Sequence, residues 1–166
     1  MSAAVLAAPE TPRVPEDVVE TYFKERGKPM PGAEHARCQA RLIGQFLKSD
    51  THDVLSELNL DLEGYRCVPD LCVYRKEDES AIRHLTWVTL PPQIAVEIIS
   101  PSQTIDEMTA KIEQLLAHGV PSVWFVLPFA RVITVYQRSA PLISCAAGIL
   151  ADPVTGVKVN VDEVFA

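Results

Sequence analysis

Two almost continuous apolar runs on either side of one well-marked helix constrain the fold of this chain most. The runs QIAVEIIS (residues 93–100) and SVWFVLP (residues 122–128) have the composition of strands buried on both faces of a sheet. Between them, Thr104 and Glu107 form a capping-box pattern, and Gly119 followed by Pro121 marks the end of a helix. Strand, helix and strand in this order predict a parallel pair joined by a right-handed crossover.

The stretch before this unit has the pattern of a β-hairpin. Leu58, Leu60 and Leu62 alternate with polar residues, EGY turns the chain, and RCVPDLCVYR returns. We therefore expect residues 54–75 to form an antiparallel hairpin, with residues 93–99 paired beside its second strand.

Helical patterns precede the hairpin, and further strand patterns follow the crossover. The helices are expected over residues 14–27 and about 34–48, and the strands in RVITVYQ and GVKVNVDEVF. The order ααβββαββ predicts an α/β fold, a mixed β-sheet flanked by helices. At this length we expect one domain over residues 14–166 after a flexible tail at residues 1–13.

Two apolar, strand-like segments each contain one acid. Asp70 lies in VPDLCVYRKE and Glu97 lies in QIAVEIIS. Burying an unpaired charge is costly, so each acid should meet a base, a backbone cap, a metal ion or water at the sheet edge. If their strands pair, the two carboxylates can converge at one end of the sheet. Two carboxylates with open water positions suit Mg²⁺, which can polarise a phosphate and lower the pKa of a bound water.

Lys111 is the best candidate for a third residue of such a site. It borders the apolar stripe of the helix that follows Glu97, so its stem can run along the core while its ammonium reaches the sheet edge. Three further residues could take part: His35 at the start of the early helix, Glu57 on the hairpin, and Glu107. A core histidine, a solvated glutamate and a helix cap are the structural alternatives for these three.

The three main candidates also have structural interpretations. Asp70 could cap a turn at the strand end, and Glu97 could form a buried ion pair with an arginine. Lys111 could pair with Glu107 one turn earlier on the helix surface. The residues alone leave these alternatives open.

The motifs EHARCQARL, VPDLCVY, AVEIISPSQ, EMTAKIEQL, GVPSVWFVLP and RVITVYQ follow one another over residues 31–137. In this order they resemble the PD-(D/E)XK nuclease superfamily and, more closely, the Uma-type restriction endonuclease family also described as domain of unknown function 820. The wider superfamily has a lysine where this chain has Ile99, and the lysine that matches the closer family is Lys111. The resemblance implies a restriction-endonuclease-like fold.

The resemblance also implies a Mg²⁺-dependent endonuclease, with Mn²⁺ as an alternative ion. Such an enzyme would hydrolyse phosphodiesters of DNA or another nucleic acid. Asp70 and Glu97 would then be the metal ligands, and Lys111 would position water and stabilise charge. The alternative is a catalytically inactive protein of the nuclease fold that serves as a binding or assembly module.

Composition restricts the partners. The net charge of −7 disfavours a broad basic face for nucleic acid, although a homodimer, which we expect, could present a local basic groove. Arg37, Arg41 and Lys48 on the early helix are the candidates for that groove. No run reaches transmembrane length, which predicts no membrane partner. The four cysteines form no CxxC pair, which favours reduced thiols in a cytoplasmic protein.

Overall fold

The computed structural model describes residues 29–166 together with four residues before them, Glu16, Val18, Glu20 and Lys24. These four are helical and lie in the stretch where the sequence predicts the first helix. The rest of that predicted helix and the predicted tail at residues 1–13 lie outside the described residues. The chain divides into the units Met1–Met30 and Pro31–Ala166, and the sheet belongs to the second. A single domain over residues 14–166 stays a prediction.

The second unit alternates helices with mostly short strands. The helices are α1 (Ala33–Phe46), α2 (Glu79–Ile82), α3 (Ile105–Ala117) and α4 (Val161–Val164). The strands are β1 (His52–Ser56), β2 (Leu60–Leu62), β3 (Tyr65–Cys67), β4 (Leu71–Arg75), β5 (Ile94–Ile98), β6 (Ser122–Leu127), β7 (Val132–Gln137), β8 (Ile143–Cys145), β9 (Ile149–Ala151) and β10 (Lys158–Asn160). No helix in the described part of the chain is both long and apolar enough to cross a membrane.

The main sheet has six strands in the order β1-β4-β5-β6-β7-β8. Only β5 and β6 are parallel among its neighbouring strands, and α3 connects them, so the predicted parallel crossover unit is confirmed. The other neighbouring pairs are antiparallel. The predicted α/β fold, a mixed sheet flanked by helices, is therefore correct.

A helix covers each face of the sheet. α1 buries Cys38, Leu42 and Phe46 in the core that contains Val96 and Trp124. α3 buries three apolar residues in a second core on the alternating strand positions, namely Met108, Ile112 and Leu115. β4 and β5 are buried on both faces, which is why their sequences read as continuous apolar runs.

The predicted hairpin over residues 54–75 forms, but with an interruption. β1 pairs antiparallel with β4, and β2 pairs with β3 in the same register. The expectation of one uninterrupted alternating strand is wrong, because Glu57 takes a left-handed backbone (φ 54°) that ends β1. Across the break, the Glu57 amide still donates to the Asp70 carbonyl at 3.2 Å. Asp70 is therefore placed just before β4 and not within it.

The connection between β9 and β10 contains a buried acid, Asp152, that the sequence analysis did not predict to be buried. Asp152 is almost fully buried and accepts hydrogen bonds from the Ser122 hydroxyl, the Trp124 indole at 2.9 Å and the Thr155 amide at 2.8 Å. The Thr155 hydroxyl is a further donor at 2.9 Å. Asp152 thus ties the β9–β10 turn to the buried end of β6. The run ADPVTG has the turn chemistry that could have indicated this role.

Replacing Asp152 by alanine should lower the free energy of unfolding by roughly 2–3 kcal/mol, because several buried donors lose their acceptor. Chemical denaturation followed by tryptophan fluorescence measures the loss, since Trp124 is one of the donors. The Asp50→Ala protein is the matched control, because Asp50 is exposed. Equal midpoints for the two variants would contradict a structural role for Asp152.

Candidate active site

The two predicted acids lie at the same end of the sheet. Leu71 of β4 is opposite Val96 of β5, and continuing this antiparallel register by one residue sets Asp70 opposite Glu97. Both side chains are buried, with 3% of Asp70 and 2% of Glu97 exposed. Asp70 also acts electrostatically on Lys111, the residue that contacts Glu97. The break in the hairpin and the end of β5 thus bring two carboxylates into one buried neighbourhood.

Asp70 is held by a backbone amide and a histidine. Its Oδ2 atom accepts a hydrogen bond from the Ile98 amide at 2.7 Å and lies 3.1 Å from Nε2 of His35. An ionised carboxylate only accepts, so Nε2 carries the proton when Asp70 is charged. His35 is 5% exposed and lies in the first turn of α1. The sequence left open whether His35 is a core histidine or part of the site, and the structure places its buried ring against Asp70.

A glutamine one turn after His35 supports the same corner. Gln39 donates to the Asp70 carbonyl at 3.2 Å and to the Glu57 carboxylate at 3.3 Å. The sequence analysis missed Gln39, although its i+4 spacing from His35 puts both residues on one face of α1. Glu57 is half-buried, so the interpretation of its side chain as fully solvated is not what the structure shows.

The Lys111 ammonium points to the acids, as its place on the helix predicts. It lies 2.8 Å from a carboxylate oxygen of Glu97 and 3.4 Å from the Val68 carbonyl. The Lys111 side chain is 22% exposed, so one end of this ion pair borders solvent. Lys111 is thus an ion-pair partner of Glu97.

Glu107 does not share this contact with Lys111. The Glu107 carboxylate accepts from the Thr104 amide at 2.8 Å, and the Thr104 hydroxyl accepts from the Glu107 amide at 3.2 Å. This is the predicted capping box at the start of α3. The hydrogen bonds from Thr104 lower the pKa of the Glu107 carboxyl, which is exposed. Glu107 therefore serves as the N-terminal cap of the helix that carries Lys111.

Electrostatics keep Lys111 charged. Burial acts to lower the pKa of the Lys111 ammonium, but the charge of Glu97, its hydrogen bond and the charge of Asp70 outweigh burial. The pKa is consequently raised above its ordinary value. At neutral pH this group can stabilise negative charge, but it cannot take a proton from water.

The nearby thiols stay protonated. Burial raises the pKa of Cys67 to about 12, with Lys111 opposing and Glu97 adding to the rise. Burial also raises the pKa of Cys72, which is fully buried on β4. Without a metal these two thiols are therefore neutral at physiological pH. The chemistry at this end of the sheet is that of carboxylate oxygens.

No group of three or more His, Cys, Asp or Glu side chains within the described residues has an arrangement that could hold a metal ion. A metal site built from this region would therefore rest on Asp70 and Glu97, with water completing the coordination. Such a ligand set suits Mg²⁺, which keeps several waters and takes one or two carboxylates.

The basic residues on α1 and just after it have contacts within the protein. Arg37 pairs with Glu34, Arg41 donates to the carbonyls of Val164 and Ala166, and Lys48 lies 3.3 Å from Glu163. Arg41 and Lys48 thus fasten the C-terminal segment to α1. Arg41 and Lys48, two of the three residues that we expected to line a basic groove, therefore have a structural role.

Comparison with known proteins identifies the family. The model of the family described as "Uma2: Putative restriction endonuclease" matches residues 25–151. The chain belongs to this family, as the motif order over residues 31–137 indicated. The match includes the acids and the lysine described above.

A solved structure shares the fold. A crystal structure described as a putative nuclease of DUF820 from Anabaena variabilis is 19% identical, covers 83% of each chain and superposes with a TM-score of 0.71. The DrdV–DNA complex is 14% identical over 78% of this chain and 11% of that chain, with a TM-score of 0.43. No curated protein matches the chain. The first of these structures shows that the chain has the fold of a nuclease-like protein.

Proposed function

We propose that this protein is a metal-dependent nuclease that hydrolyses phosphodiester bonds. The observation that carries the proposal is the buried group formed by Asp70, Glu97 and the Lys111 ammonium at one end of the sheet. Buried carboxylates beside a cation are expensive to maintain for structure alone, and such groups concentrate at functional sites. Membership of a restriction endonuclease family supports this interpretation.

The ligand chemistry fits a divalent cation. Asp70 and Glu97 would hold it, and their oxygen atoms suit Mg²⁺ or Mn²⁺ better than a thiol-seeking metal. When bound, such an ion polarises a phosphoryl oxygen and lowers the pKa of a coordinated water. Nucleases of this fold generally use divalent ions, which supports the same assignment.

The chain's own residues would divide the remaining work. Lys111 stays cationic, so its part is to stabilise negative charge that develops on the phosphoryl group. His35 and the Ile98 amide fix the Asp70 carboxylate, which makes them positioning groups. Gln39 and Glu57 hold the backbone on either side of the hairpin break, and we assign them a supporting role.

The substrate would be a nucleic acid, reached by a surface that is not broadly basic. The net charge of −7 and the intramolecular contacts of Arg41 and Lys48 count against binding through long-range attraction alone. A homodimer and a cytoplasmic location are part of the proposal.

The proposal predicts metal-dependent cleavage. The wild-type protein should cut plasmid DNA or labelled single strands with Mg²⁺ or Mn²⁺ and be inactive in EDTA. Glu97→Gln should lower the cleavage rate by on the order of a hundredfold or more, because it removes a ligand charge that is needed in the transition state. Glu113→Gln, an exposed change on α3, is the matched control and should cleave like the wild type.

Gel assays with purified protein decide between the two functions considered. Absence of cleavage with either ion on single-stranded and double-stranded substrates would overturn the nuclease and favour the inactive binding module. Equal activity of Glu97→Gln and the wild type would show that any cleavage arises elsewhere.

A further inference from the structure

A cleft of about 630 Å³ is lined in part by His35, the residue whose ring contacts Asp70. Its volume lies in the range of pockets that take small organic groups, roughly 300–1,000 Å³. The lining combines the start of α1, the turn after β5 and the turn after β6. It includes Gly32, His35, Ile99, Pro101, Pro128 and Phe129.

Phe129 is an exposed aromatic residue in the lining of the cleft. Its side chain is 76% exposed, the largest exposed fraction of any large apolar residue in the described part of the chain. It lies between Pro128 and Ala130 in the 3-10 turn that joins β6 to β7. Exposing an aromatic ring costs free energy, and a ring beside a cleft usually marks a contact surface. The structure therefore presents an exposed aromatic ring at the cleft that His35 also lines.

His35 provides a second, independent observation. The ring is almost fully buried, and its Nδ1 atom has no hydrogen-bond partner among the described residues, although Nε2 is bound to Asp70. A buried ring nitrogen that lacks a partner is costly, and such a group in a native protein calls for a functional explanation.

We propose that this cleft takes one unpaired nucleobase of the nucleic acid, stacked on Phe129 and next to His35. The inference rests on the proposed function, because the group next to a scissile phosphodiester is a nucleoside. It adds a substrate class, which is nucleic acid that is single-stranded at the site of cleavage. His35 connects the proposed metal site with the cleft, since it contacts Asp70 and also lines the cleft.

Charge favours this occupant over a duplex held by its phosphates. The chain carries a net charge of −7, and Arg37 and Lys48 each lie beside an acid, which reduces the local positive charge. Stacking of a base on an aromatic ring does not require a basic surface, and it tolerates any sequence because every base has a π-face. Binding should therefore depend only weakly on salt compared with a protein that neutralises many phosphates.

Binding measured in EDTA tests the proposal without cleavage. Fluorescence anisotropy would compare labelled single-stranded DNA, single-stranded RNA of the same sequence, and duplex DNA. We expect the single strands to bind more tightly than the duplex, and the two single-stranded arms show which sugar is preferred. Phe129→Ala should weaken single-strand binding on the order of tenfold. Phe129→Tyr should restore it, and Leu142→Ala, which removes an exposed apolar residue elsewhere, should have no effect.

A base analogue reports the stacking directly. A single 2-aminopurine moved along the strand should be quenched at one position by the wild type and lose that quenching with Phe129→Ala. Unchanged affinity and quenching in Phe129→Ala, or tighter binding of duplex than of single strands, would overturn the inference. Phe129-dependent binding without cleavage in Mg²⁺ would keep the inference and overturn the proposed nuclease. Cleavage that is the same in the wild type and in Phe129→Ala would keep the proposed nuclease and overturn the inference about the cleft.

Discussion

Replacing Lys111 by methionine should reduce metal-dependent cleavage by roughly a hundredfold to a thousandfold, the usual cost of removing one preorganised group that stabilises charge in a transition state. Methionine keeps an unbranched apolar stem and removes the ammonium, so the change isolates the charge. The ammonium lies 2.8 Å from Glu97, which places it beside the expected phosphoryl group. Initial rates of cleavage at saturating Mg²⁺ measure the effect, and Lys158→Met, an exposed lysine on β10, is the matched control.

The same substitution should also lower stability, by roughly 3 kcal/mol, because breaking a buried ion pair leaves an acid in a poorly solvated place. A variant that also changes Glu97 to glutamine should recover part of this loss, since it removes the buried negative charge. Denaturation of the single and double variants separates the folding effect from the catalytic one. Wild-type cleavage rates in folded Lys111→Met protein would refute the catalytic role.

The pH dependence of stability gives a second test of this ion pair. The folded-state pKa of Lys111 is raised above the ordinary value of 10.5. The pair therefore contributes its full stabilisation below that ordinary value and loses it as the pH rises through the raised one. Wild-type protein should lose stability relative to Lys111→Met above about pH 10.5, and the two should run parallel near neutral pH.

Most of the fold could be predicted from local sequence patterns. The strands β5 and β6, the capping box of α3 and the hairpin before them could be predicted, because burial and helix caps leave recognisable patterns. The break at Glu57 could not be predicted. A left-handed glutamate has no signature in the sequence, and the alternation of Leu58, Leu60 and Leu62 suggested one continuous strand. β8 and β9 were missed because they are short and largely exposed.

For the site, the sequence identified the acids and the lysine but not their connections. The direction of Lys111 followed from its position on the helix, and the contact of 2.8 Å with Glu97 agrees with it. The bond from Ile98 to Asp70 could not be predicted, because it depends on the strand register and on the break in the hairpin. Phe129 and Gln39 carry no motif. Their importance follows only from what the fold places beside them.

Metal should stabilise the folded protein through the two acids. Excess Mg²⁺ or Mn²⁺ at about a hundred times its dissociation constant should raise the free energy of unfolding by roughly 2.7 kcal/mol relative to EDTA. This test needs no substrate, so it stands apart from the cleavage assays. An absence of any shift in the wild type with either ion would rule out the assignment of Asp70 and Glu97 as ligands.

Asp70→Asn should lose that metal increment and, in addition, be less stable than the wild type in EDTA. The structure sets the second expectation: the Asp70 carboxylate accepts from the Ile98 amide and meets the His35 ring in a buried place. Asparagine keeps one carbonyl oxygen but presents an amide where the second acceptor was, so we expect a loss of roughly 1–3 kcal/mol without metal. Asp50→Asn, an exposed change, should show neither effect. Thermal or urea melts of the three proteins, each with EDTA and with excess ion, measure both quantities. A large loss in EDTA combined with a metal shift equal to that of the wild type would mean that Asp70 holds the break before β4 in place and binds no ion.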